Sequence, residues 1–261
     1  MAGQGVTSVT VTGARSVRRQ SPQELARRLR GATLGSPRRV GKYLILPLGD
    51  AGGETALVVH LRMSGRLVLA DPAQPRARHT HAVLSLSGGR ELRFVDPRTF
   101  GELFVAPAPG GVPAELAHLG PDPLDPGWSE AALAGLVLDR RARLKLLLMD
   151  QRRLAGLGNI YTDEALFESG LRFDRPAGSL SPQEVGRLHR AITATLLEAV
   201  AHRGSSLPDA AYLDLFERPG GHQAHHRVYG REGQPCPRCG QPVVRRRLGA
   251  RSTFLCEGCQ S

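Results

Sequence analysis

Cysteine is missing from the first 235 residues of this 261-residue chain. A chain with so long a cysteine-free part is not held together by a disulfide framework, which excludes the small secreted scaffolds built on disulfides. Long hydrophobic runs are missing as well, so no transmembrane helix is predicted and no membrane partner is expected. The apolar fraction of 41% is still sufficient for a buried core, and the length suits two modest domains with a small extra module.

The four cysteines all lie in the last 26 residues, as two Cys-x-x-Cys pairs separated by sixteen residues. The pairs are Cys236 with Cys239 and Cys256 with Cys259. Each pair puts two thiolates on one side of a tight turn, and two such turns supply the four sulfur ligands of tetrahedral zinc. We therefore predict one structural Zn²⁺. Paired disulfides are the alternative, but they need an oxidising compartment, and no signal-peptide pattern is present, so a cytoplasmic protein is expected.

Acidic residues are few relative to basic ones: 24 Asp and Glu against 35 Lys and Arg, a formal net charge of +11. This excess favours a polyanionic partner, nucleic acid first of all. A generally arginine-rich composition is the simpler explanation, but the basic residues are clustered. The clusters are Arg15–Arg19, Arg38–Lys42, Arg140–Lys145 and Arg245–Arg251. Because a cluster occurs in every part of the chain, we predict one continuous binding groove.

The pattern of apolar runs and turn residues predicts a multidomain α+β protein. Residues 1–108 contain short β-rich runs between glycine-bearing turns, which are typical of an antiparallel β-sandwich. Residues 109–128 are rich in proline and glycine and indicate a linker. Residues 129–224 have helical patterning, and residues 225–261 contain the cysteine module, predicted to be a zinc-bound β-hairpin. Within residues 129–224, a loop is predicted over 205–224.

Capping signals locate the helices. Ser21-Pro22-Gln-Glu24 predicts a helix after the first strand, Ser129 begins a run to Leu138, and Ser181-Pro-Gln-Glu184 begins a long helix that ends near Gly204. The turn Gly156-Leu-Gly158-Asn159 precedes a helix predicted over 160–169. Such a helix start offers free N–H groups and the positive end of the helix dipole to a phosphate, although a tight turn alone would also explain the glycines.

Five ordered motifs extend over most of the chain. They are Arg39-Val-Gly-Lys42-Tyr, His60-Leu-Arg-Met63-Ser-Gly65, Phe94-Val-Asp-Pro-Arg98-Thr-Phe100-Gly, the string from Gly156 to Phe167, and Val228 to Cys236 continued by Arg251-Ser-Thr-Phe254 and Cys259-Gln260. With these motifs the chain resembles, from about Gly5 to its C-terminus, the formamidopyrimidine-DNA glycosylase and endonuclease VIII family of base-excision repair enzymes. The resemblance implies a helix-two-turn-helix in the helical domain. Met63 in its motif is more similar to the oxidised-purine branch, formamidopyrimidine-DNA glycosylase.

The resemblance also implies roles for individual residues. Asn159, with Gly158 before it, and Arg251 match residues that hold the phosphates beside the damaged nucleotide; a helix cap and a solvated arginine are the alternatives. The gap left by a flipped base would be filled by three matched residues, and a basic loop would lie near the DNA. The gap-filling residues are Met63, Arg98 and Phe100, and the loop residues are Arg78, His79 and His81. For Met63 and Phe100 the alternative is an ordinary core position.

Lys42 matches a family lysine beside the scissile phosphate and is the catalytic candidate; a solvated surface lysine is the alternative. The family's nucleophile is an N-terminal proline followed by a catalytic glutamate. The printed sequence instead begins Met1-Ala2-Gly3 and joins the family pattern at the first strand. Two interpretations stay open: either the true start lies upstream and restores Pro-Glu, or the chain binds lesions or duplex without the chemistry. A general zinc-ribbon nucleic-acid protein is a third hypothesis.

The reaction implied by the resemblance is removal of an oxidised purine, 8-oxoguanine or formamidopyrimidine, followed by β-elimination at the abasic site. The implied partner is double-stranded DNA with oxidised bases or abasic sites, bound by a monomer in a basic cleft between the domains. A nucleoid-associated cytoplasmic location follows from that partner. In the family, the segment matching residues 205–224 covers the flipped base.

Overall fold

The computed structural model describes residues 1–49, 54–138, 140–206 and 212–261. The chain forms two compact units. The first consists of Met1–His118 with Ser205–Gly220, and the second of Leu119–Gly204 with Gly221–Ser261. Among the described residues, no helix combines the length and the apolar character needed to span a bilayer.

Two antiparallel sheets make up most of the first unit. Their strands are β1 (Val6–Val11), β2 (Thr33–Leu34), β3 (Arg38–Val40), β4 (Tyr43–Gly49), β5 (Thr55–His60), β6 (Arg66–Ala70), β7 (Thr80–Leu86), β8 (Glu91–Val95) and β9 (Glu102–Pro107). One sheet has the order β1-β7-β8-β6, and the other has the order β2-β4-β5-β9 with β3 paired to β4. Inward-facing side chains from both sheets share one apolar core, which confirms the predicted β-sandwich.

The helix α1 (Pro22–Leu29) packs on β1 and β9 of the sandwich. Its start is the predicted one: the Ser21 hydroxyl accepts a hydrogen bond from the Glu24 N–H at 3.1 Å, and Pro22 occupies the first turn. Leu25 and Leu29 lie one turn apart on the same face and are fully buried. Each contributes about 1.5–3 kcal/mol of burial free energy, which fixes the helix to the sandwich.

Helices and one hairpin form the second unit. They are α2 (Glu130–Val137), α3 (Leu144–Met149), α4 (Asn159–Ser169), α5 (Pro182–Ala201), β10 (Val244–Leu248) and β11 (Arg251–Leu255). The predicted capping box at the start of α5 is present, because Ser181 and Glu184 each accept from the other's backbone N–H, at 3.3 and 2.8 Å. α4 ends at Gly170, whose φ of +73° is the left-handed conformation that glycine adopts without strain. Both signals were readable in the sequence.

The hairpin formed by β10 and β11 shares its apolar core with the helices. Leu248 at the end of β10 and Leu255 at the end of β11 are buried in the same apolar cluster as the side chains of α2 to α5. The predicted α+β architecture of sandwich, helical region and C-terminal hairpin is therefore confirmed. The hairpin is anchored to the helices by apolar packing and by hydrogen bonds between its backbone and side chains of α4.

The segment 205–220 lies with the sandwich, whereas the sequence-based boundaries grouped it with the helices. The Leu69 N–H donates to the Leu215 carbonyl at 2.8 Å, and the Tyr212 hydroxyl donates to the Arg62 carbonyl at 3.3 Å. Residues 207–211 of the predicted loop lie outside the described residues. The stretch 109–128, expected to be a linker, is packed: Leu116 and Asp122 are buried within it.

Candidate nucleic-acid interface

Asp96 joins two loops of the first unit through its side chain, which is completely buried. Its Oδ1 accepts hydrogen bonds from the Ser64 hydroxyl at 2.5 Å and the Arg98 N–H at 3.2 Å. Its Oδ2 accepts from the Gly101 N–H at 2.7 Å. Hydrogen bonds to a buried carboxylate are strong because the acceptor is charged and shielded from water. One carboxylate therefore fixes the loop after β5 and the loop before β9.

The backbone of Asp96 holds a third loop. Its N–H donates to the His79 carbonyl at 3.0 Å, and its carbonyl lies 2.8 Å from His81 Nε2. Arg78 and His79 are exposed and His81 is half-buried, so this predicted basic loop is on the surface. The structure thus brings the loop 78–81 next to the loops that carry the predicted gap-filling residues.

The three predicted gap-filling residues are exposed. Met63 has 53% and Phe100 has 49% of its surface accessible, so the alternative assignment of both to the core is wrong. The guanidinium of Arg98 lies 4.9 Å from the centre of the Phe100 ring, within the range of a cation–π contact. Two large apolar side chains are held in water beside a cation on loops that the buried Asp96 makes rigid. This arrangement suits insertion into a partner better than it suits a free surface.

Three non-glycine residues of these loops have positive φ. They are Arg62 at 52°, Thr99 at 53° and His79 at 92°. The left-handed region costs an ordinary residue about 1 kcal/mol or more, so the surrounding hydrogen bonds must hold these conformations in place. Strained backbone concentrated in adjoining loops is typical of functional sites.

Lys42 is exposed in the turn between β3 and β4. The next residue, Tyr43, begins a row of cross-strand neighbours with His60 on β5 and Glu102 on β9. The Tyr43 hydroxyl donates to Glu102 Oε1 at 3.4 Å, and Arg62 Nη2 forms an ion pair with the same oxygen at 2.9 Å. The lysine, the polar row and the loop that carries Met63 therefore lie at the same edge of the sheet.

His60 is neutral in this setting. Burial, reinforced by the positive charges of Arg62 and Lys42, lowers the pKa of His60 to about 3. Its Nδ1 accepts the Arg62 N–H at 2.9 Å, which a protonated ring could not do. Lys42 directly precedes Tyr43, the cross-strand neighbour of His60, which puts the lysine beside this polar row in the chain. His60 supports the loop through a hydrogen bond and does not supply a proton near neutral pH.

In the second unit, Gln151 shapes the turn before α4. Its Nε2 donates to the carbonyls of Met149 and Leu157 at 3.0 and 2.8 Å, and its Oε1 accepts the Gly156 N–H at 3.0 Å. Gly156 has a φ of +96°, which requires glycine, and Gly158 directly precedes the helix. Gly158 and Asn159 at the start of α4 are both partly exposed, and the free N–H groups and positive dipole end of such a helix start suit a phosphate.

Asn159 and the tip of the hairpin are joined directly. Asn159 Nδ2 donates to the Ser252 carbonyl at 3.0 Å, and Ser252 follows Arg251, which is exposed at the start of β11. One Nδ2 hydrogen is used by this bond. A single hydrogen bond, from Asn159 to the residue after Arg251, therefore joins the two segments for which the sequence predicted phosphate contacts.

A buried ion pair supports this junction. Lys145 Nζ lies 2.6 Å from Asp163 Oδ1, 2.8 Å from Thr253 Oγ1 and 3.2 Å from the Ser252 carbonyl. Burial raises the pKa of Asp163 to about 6, against the lowering effect of Lys145, and burial also lowers the pKa of Lys145. The nearby charge of Arg251 lowers the pKa of Lys145 further. The pair thus ties α3 and α4 to the hairpin strand that begins with Arg251.

Glu164 on α4 holds the other end of the module. Its carboxylate accepts three consecutive backbone N–H groups, from Arg227 at 2.8 Å, Val228 at 3.1 Å and Tyr229 at 2.8 Å. Two adjacent acidic residues of α4 therefore hold the cysteine module. Glu164 binds the segment that leads into it, and Asp163 accepts the Phe254 N–H on β11. Sequence reasoning missed both carboxylates, together with Asp96 and Glu102. The sequence did contain a signal for these buried acids. The pair Asp163-Glu164 and the residue Glu102 each stand directly before a run of apolar residues, and Asp96 directly precedes a proline.

The four cysteines converge. Their Sγ atoms all lie within 4.8 Å of one another, with Cys236 and Cys259 3.8 Å apart and Cys239 and Cys256 3.4 Å apart. Four sulfurs around tetrahedral zinc, with Zn–S bonds of about 2.3 Å, would be about 3.8 Å apart, so the geometry fits. Burial raises the pKa of Cys259 to about 12, whereas N–H donors outweigh burial at Cys236 and lower its pKa to about 7. Full ionisation of this cluster requires a cation.

Three known domains match the chain in order. Residues 1–103 match the formamidopyrimidine-DNA glycosylase N-terminal domain, residues 119–210 match the H2TH domain of the same enzyme, and residues 233–261 match the zinc finger found in FPG and IleRS. A formamidopyrimidine-DNA glycosylase of Moorella thermoacetica is 48% identical over 86% of this chain and 80% of its own length. This chain belongs to the formamidopyrimidine-DNA glycosylase family. The family acts in base-excision repair of DNA, and membership favours a DNA glycosylase over a protein that only binds.

Further formamidopyrimidine-DNA glycosylases agree over the whole chain. The enzyme of Nocardia farcinica is 39% identical over 100% of this chain and 92% of its own. The crystal structure of MutM (Fpg) from Thermus thermophilus has a TM-score of 0.86 at 39% identity, covering 100% of this chain and 92% of that one. Lactococcus lactis Fpg, solved in complex with DNA containing an abasic site, has a TM-score of 0.91 at 30% identity, with 100% and 94% covered. The match at residues 233–261 also supports the zinc-binding character of the cysteine cluster.

Proposed function

We propose that this protein removes oxidised purines such as 8-oxoguanine and formamidopyrimidine from double-stranded DNA, cleaves the resulting abasic site, and acts as a monomer. The observation that carries the proposal is the rigid, exposed trio Met63, Arg98 and Phe100. An apolar pair beside a cation fits the gap that a flipped base leaves in a duplex, because apolar groups replace the lost stacking and the guanidinium pairs with the orphaned base.

The second unit supplies the contacts to the backbone. Asn159 and the N–H groups that follow Gly158 face a phosphate, and Arg251 contacts a neighbouring one through its guanidinium. Arg78, His79 and His81 contribute further positive or hydrogen-bonding groups to the DNA surface. One structural zinc ion, bound by the four cysteines, keeps the hairpin folded and so keeps Arg251 in position.

Lys42 is the residue of this chain that we assign to the lyase step. It is one of only two lysines among the 261 residues, and the other, Lys145, is buried against Asp163. A neutral Lys42 amine attacks the C1′ aldehyde of a ring-opened abasic sugar, water leaves, and a Schiff base forms. Loss of a C2′ proton then expels the 3′ phosphate by β-elimination, and hydrolysis of the imine frees the enzyme. The nearby charges of Arg62 and Arg39 favour binding of the phosphate.

Related structures support the same partner. The Lactococcus lactis Fpg has been solved with DNA containing an abasic site and with DNA containing N7-benzyl-Fapy-dG, the latter at a TM-score of 0.90 and 30% identity. Those ligands belong to that protein. The same class of damaged DNA is proposed for this chain, because Met63, Arg98 and Phe100 would fill the gap in such a duplex and Asn159 and Arg251 would bind its phosphates.

Borohydride trapping tests the proposal. Wild type, Lys42→Ala and Lys42→Arg are incubated with three duplexes, which carry 8-oxoguanine, a preformed abasic site or no damage. We expect a covalent adduct on the abasic duplex that falls at least about tenfold in both variants, while Lys42→Arg, which keeps the charge, still binds the duplex. An undiminished adduct in Lys42→Arg would refute the assignment of Lys42.

Binding measurements separate the remaining hypotheses. A lesion-specific protein prefers abasic over undamaged duplex and loses that preference in Arg251→Ala, whereas a general zinc-ribbon protein binds both duplexes alike. Tight lesion binding without any adduct on either damaged duplex would instead identify a binding protein. An adduct on the 8-oxoguanine duplex shows that these 261 residues also carry out the glycosylase step.

A further inference from the structure

A second group of metal-ligating side chains lies in the helical unit. Within the described part of the chain, the candidate metal groups are the four cysteines and the set Glu198, His202 and His225. One carboxylate oxygen and one nitrogen from each histidine lie within 4.8 Å of one another. The function proposed above uses none of these residues.

Two elements bring the three side chains together. Glu198 is in the last turn of α5 and His202 follows four residues later as its C-cap, so both project from the same side of the helix end. His225 ends the short 3-10 turn formed by His222–His225. Its Nδ1 lies 4.0 Å from Glu198 Oε1, and its ring stacks on that of His202 with the centroids 3.9 Å apart. The chain returning towards the cysteine module therefore meets the end of α5 at this point.

Neighbouring residues orient the potential ligands. His222 is almost completely buried, and its Nδ1 lies 3.5 Å from His202 Nδ1. An imidazole held through one ring nitrogen presents the other nitrogen to an ion, as second-shell partners of metal-bound histidines do. Arg227 lies 3.8 Å from Glu198 Oε2 but pairs more closely with Glu168, at 2.7 Å. The arginine thus approaches one oxygen of Glu198, and the other oxygen faces His225.

We propose that Glu198, His202 and His225 form a second metal site, for a borderline divalent transition ion such as Zn²⁺. Two imidazoles and one carboxylate suit Zn²⁺, Ni²⁺, Cu²⁺ and Co²⁺ and do not suit Mg²⁺ or Ca²⁺, which prefer oxygen ligands. With metal–nitrogen bonds of about 2.0–2.1 Å, the donors must approach to roughly 3–3.5 Å, so the two rings rotate out of their stack when the ion binds. His225 is exposed, and water completes the coordination.

This site differs from the cysteine site in chemistry and in consequence. Four thiolates saturate a zinc ion, whereas three ligands leave an open position. An ion held by Glu198 and His202 on one side and by His225 on the other ties the end of α5 to the segment 221–226. It therefore stabilises the second unit without entering the DNA-binding groups.

Cobalt titration of the zinc-loaded protein tests the proposal. Protein with one zinc per chain is titrated with Co²⁺, and the visible d–d absorption is followed together with the metal content after gel filtration. Binding at imidazole and carboxylate gives d–d bands without the thiolate charge-transfer band that exchange at the cysteines would produce. We expect one additional ion per chain in wild type, and binding weakened by about 10- to 100-fold in His225→Ala and Glu198→Gln. His118→Ala, which removes an exposed histidine of the first unit, is the matched control and should bind as wild type does.

Two results would overturn the proposal. One is a metal content that stays at one ion per chain when the zinc-loaded wild type is titrated with Zn²⁺ or Co²⁺ to a large molar excess over the chain. The other is a second ion retained with unchanged affinity in both His225→Ala and Glu198→Gln. Since His225 is exposed, its replacement should leave unchanged the melting temperature of the protein that carries one zinc per chain and no added metal. That measurement ensures that lost binding reports a lost ligand and not a lost fold.

Discussion

Replacing Asp96 with asparagine should remove the preference for damaged DNA while leaving the gap-filling side chains themselves intact. The carboxylate accepts from the Ser64 hydroxyl, the Arg98 N–H and the Gly101 N–H. Asparagine keeps one acceptor oxygen but turns the other position into an NH₂ group, which faces a donor. At least one of the three bonds is therefore lost.

The size of the effect follows from the burial of the group. A hydrogen bond to a buried charged acceptor contributes about 1.5–3 kcal/mol, so the first unit should lose about 2 kcal/mol of unfolding free energy. The loops that carry Met63 and Arg98 are then free to leave their strained conformations. If rigid insertion of these loops contributes about 1.4 kcal/mol to lesion binding, the preference for the abasic duplex falls about tenfold.

Fluorescence anisotropy with abasic-analogue and undamaged duplexes measures this preference, and urea unfolding measures the stability. Asp122→Asn is the matched control, because Asp122 belongs to the second unit, is also buried and accepts the Leu124 N–H at 3.0 Å. Met63→Ala and the double variant Asp96→Asn/Met63→Ala complete a cycle. If Asp96 acts by positioning Met63, the two effects on lesion preference are not additive. Full lesion preference in Asp96→Asn, or strict additivity in the cycle, would refute the reasoning.

Three further changes have expected outcomes. Lys145→Met removes the partner of Asp163, which must then either stay buried as an unpaired carboxylate or take up a proton, and this should cost about 3–5 kcal/mol of unfolding free energy in urea. Lys145→Met/Asp163→Leu should recover part of this cost. A Lys145→Met variant as stable as wild type would contradict a buried ion pair. The pKa of His60 is about 3 in the folded protein, so as the pH falls below about 6.5 the imidazole takes up a proton in the unfolded state but not in the folded one. The free energy of unfolding of wild type, measured relative to that of His60→Asn, should therefore drop by about 2 kcal/mol between pH 7 and pH 5. A flat difference over that range would show that His60 is not buried. Cys259→Ser should lose the tightly held zinc in metal analysis and weaken duplex binding, and unchanged zinc content would exclude a four-cysteine site.

The sequence predicts the architecture well because local signals carry it. Ser181 and Glu184 form the capping box that their spacing indicates, and Gly170 ends α4 with the left-handed conformation that glycine permits. The cysteine spacing likewise predicts the cluster of sulfurs. What it could not reveal are long-range partners: the bonds of Asp96 to three loops, or of Asp163 to Phe254 across 91 residues, leave no periodic pattern in the chain. For the same reason, the backbone hydrogen bond between Leu69 and Leu215 was not predicted.

The predicted DNA-contacting residues of both units are held by buried carboxylates. Asp96 fixes the loops that expose Met63 and Phe100, and Asp163 with Glu164 fixes the hairpin that exposes Arg251. Apolar packing cannot supply this rigidity, because residues that are to contact DNA must stay in water in the free protein. A carboxylate buried beneath such a loop orders its backbone and leaves its side chains accessible. Substitutions at these acids should therefore change recognition of damaged DNA as strongly as substitutions at the residues that contact it, although the acids themselves never reach the duplex.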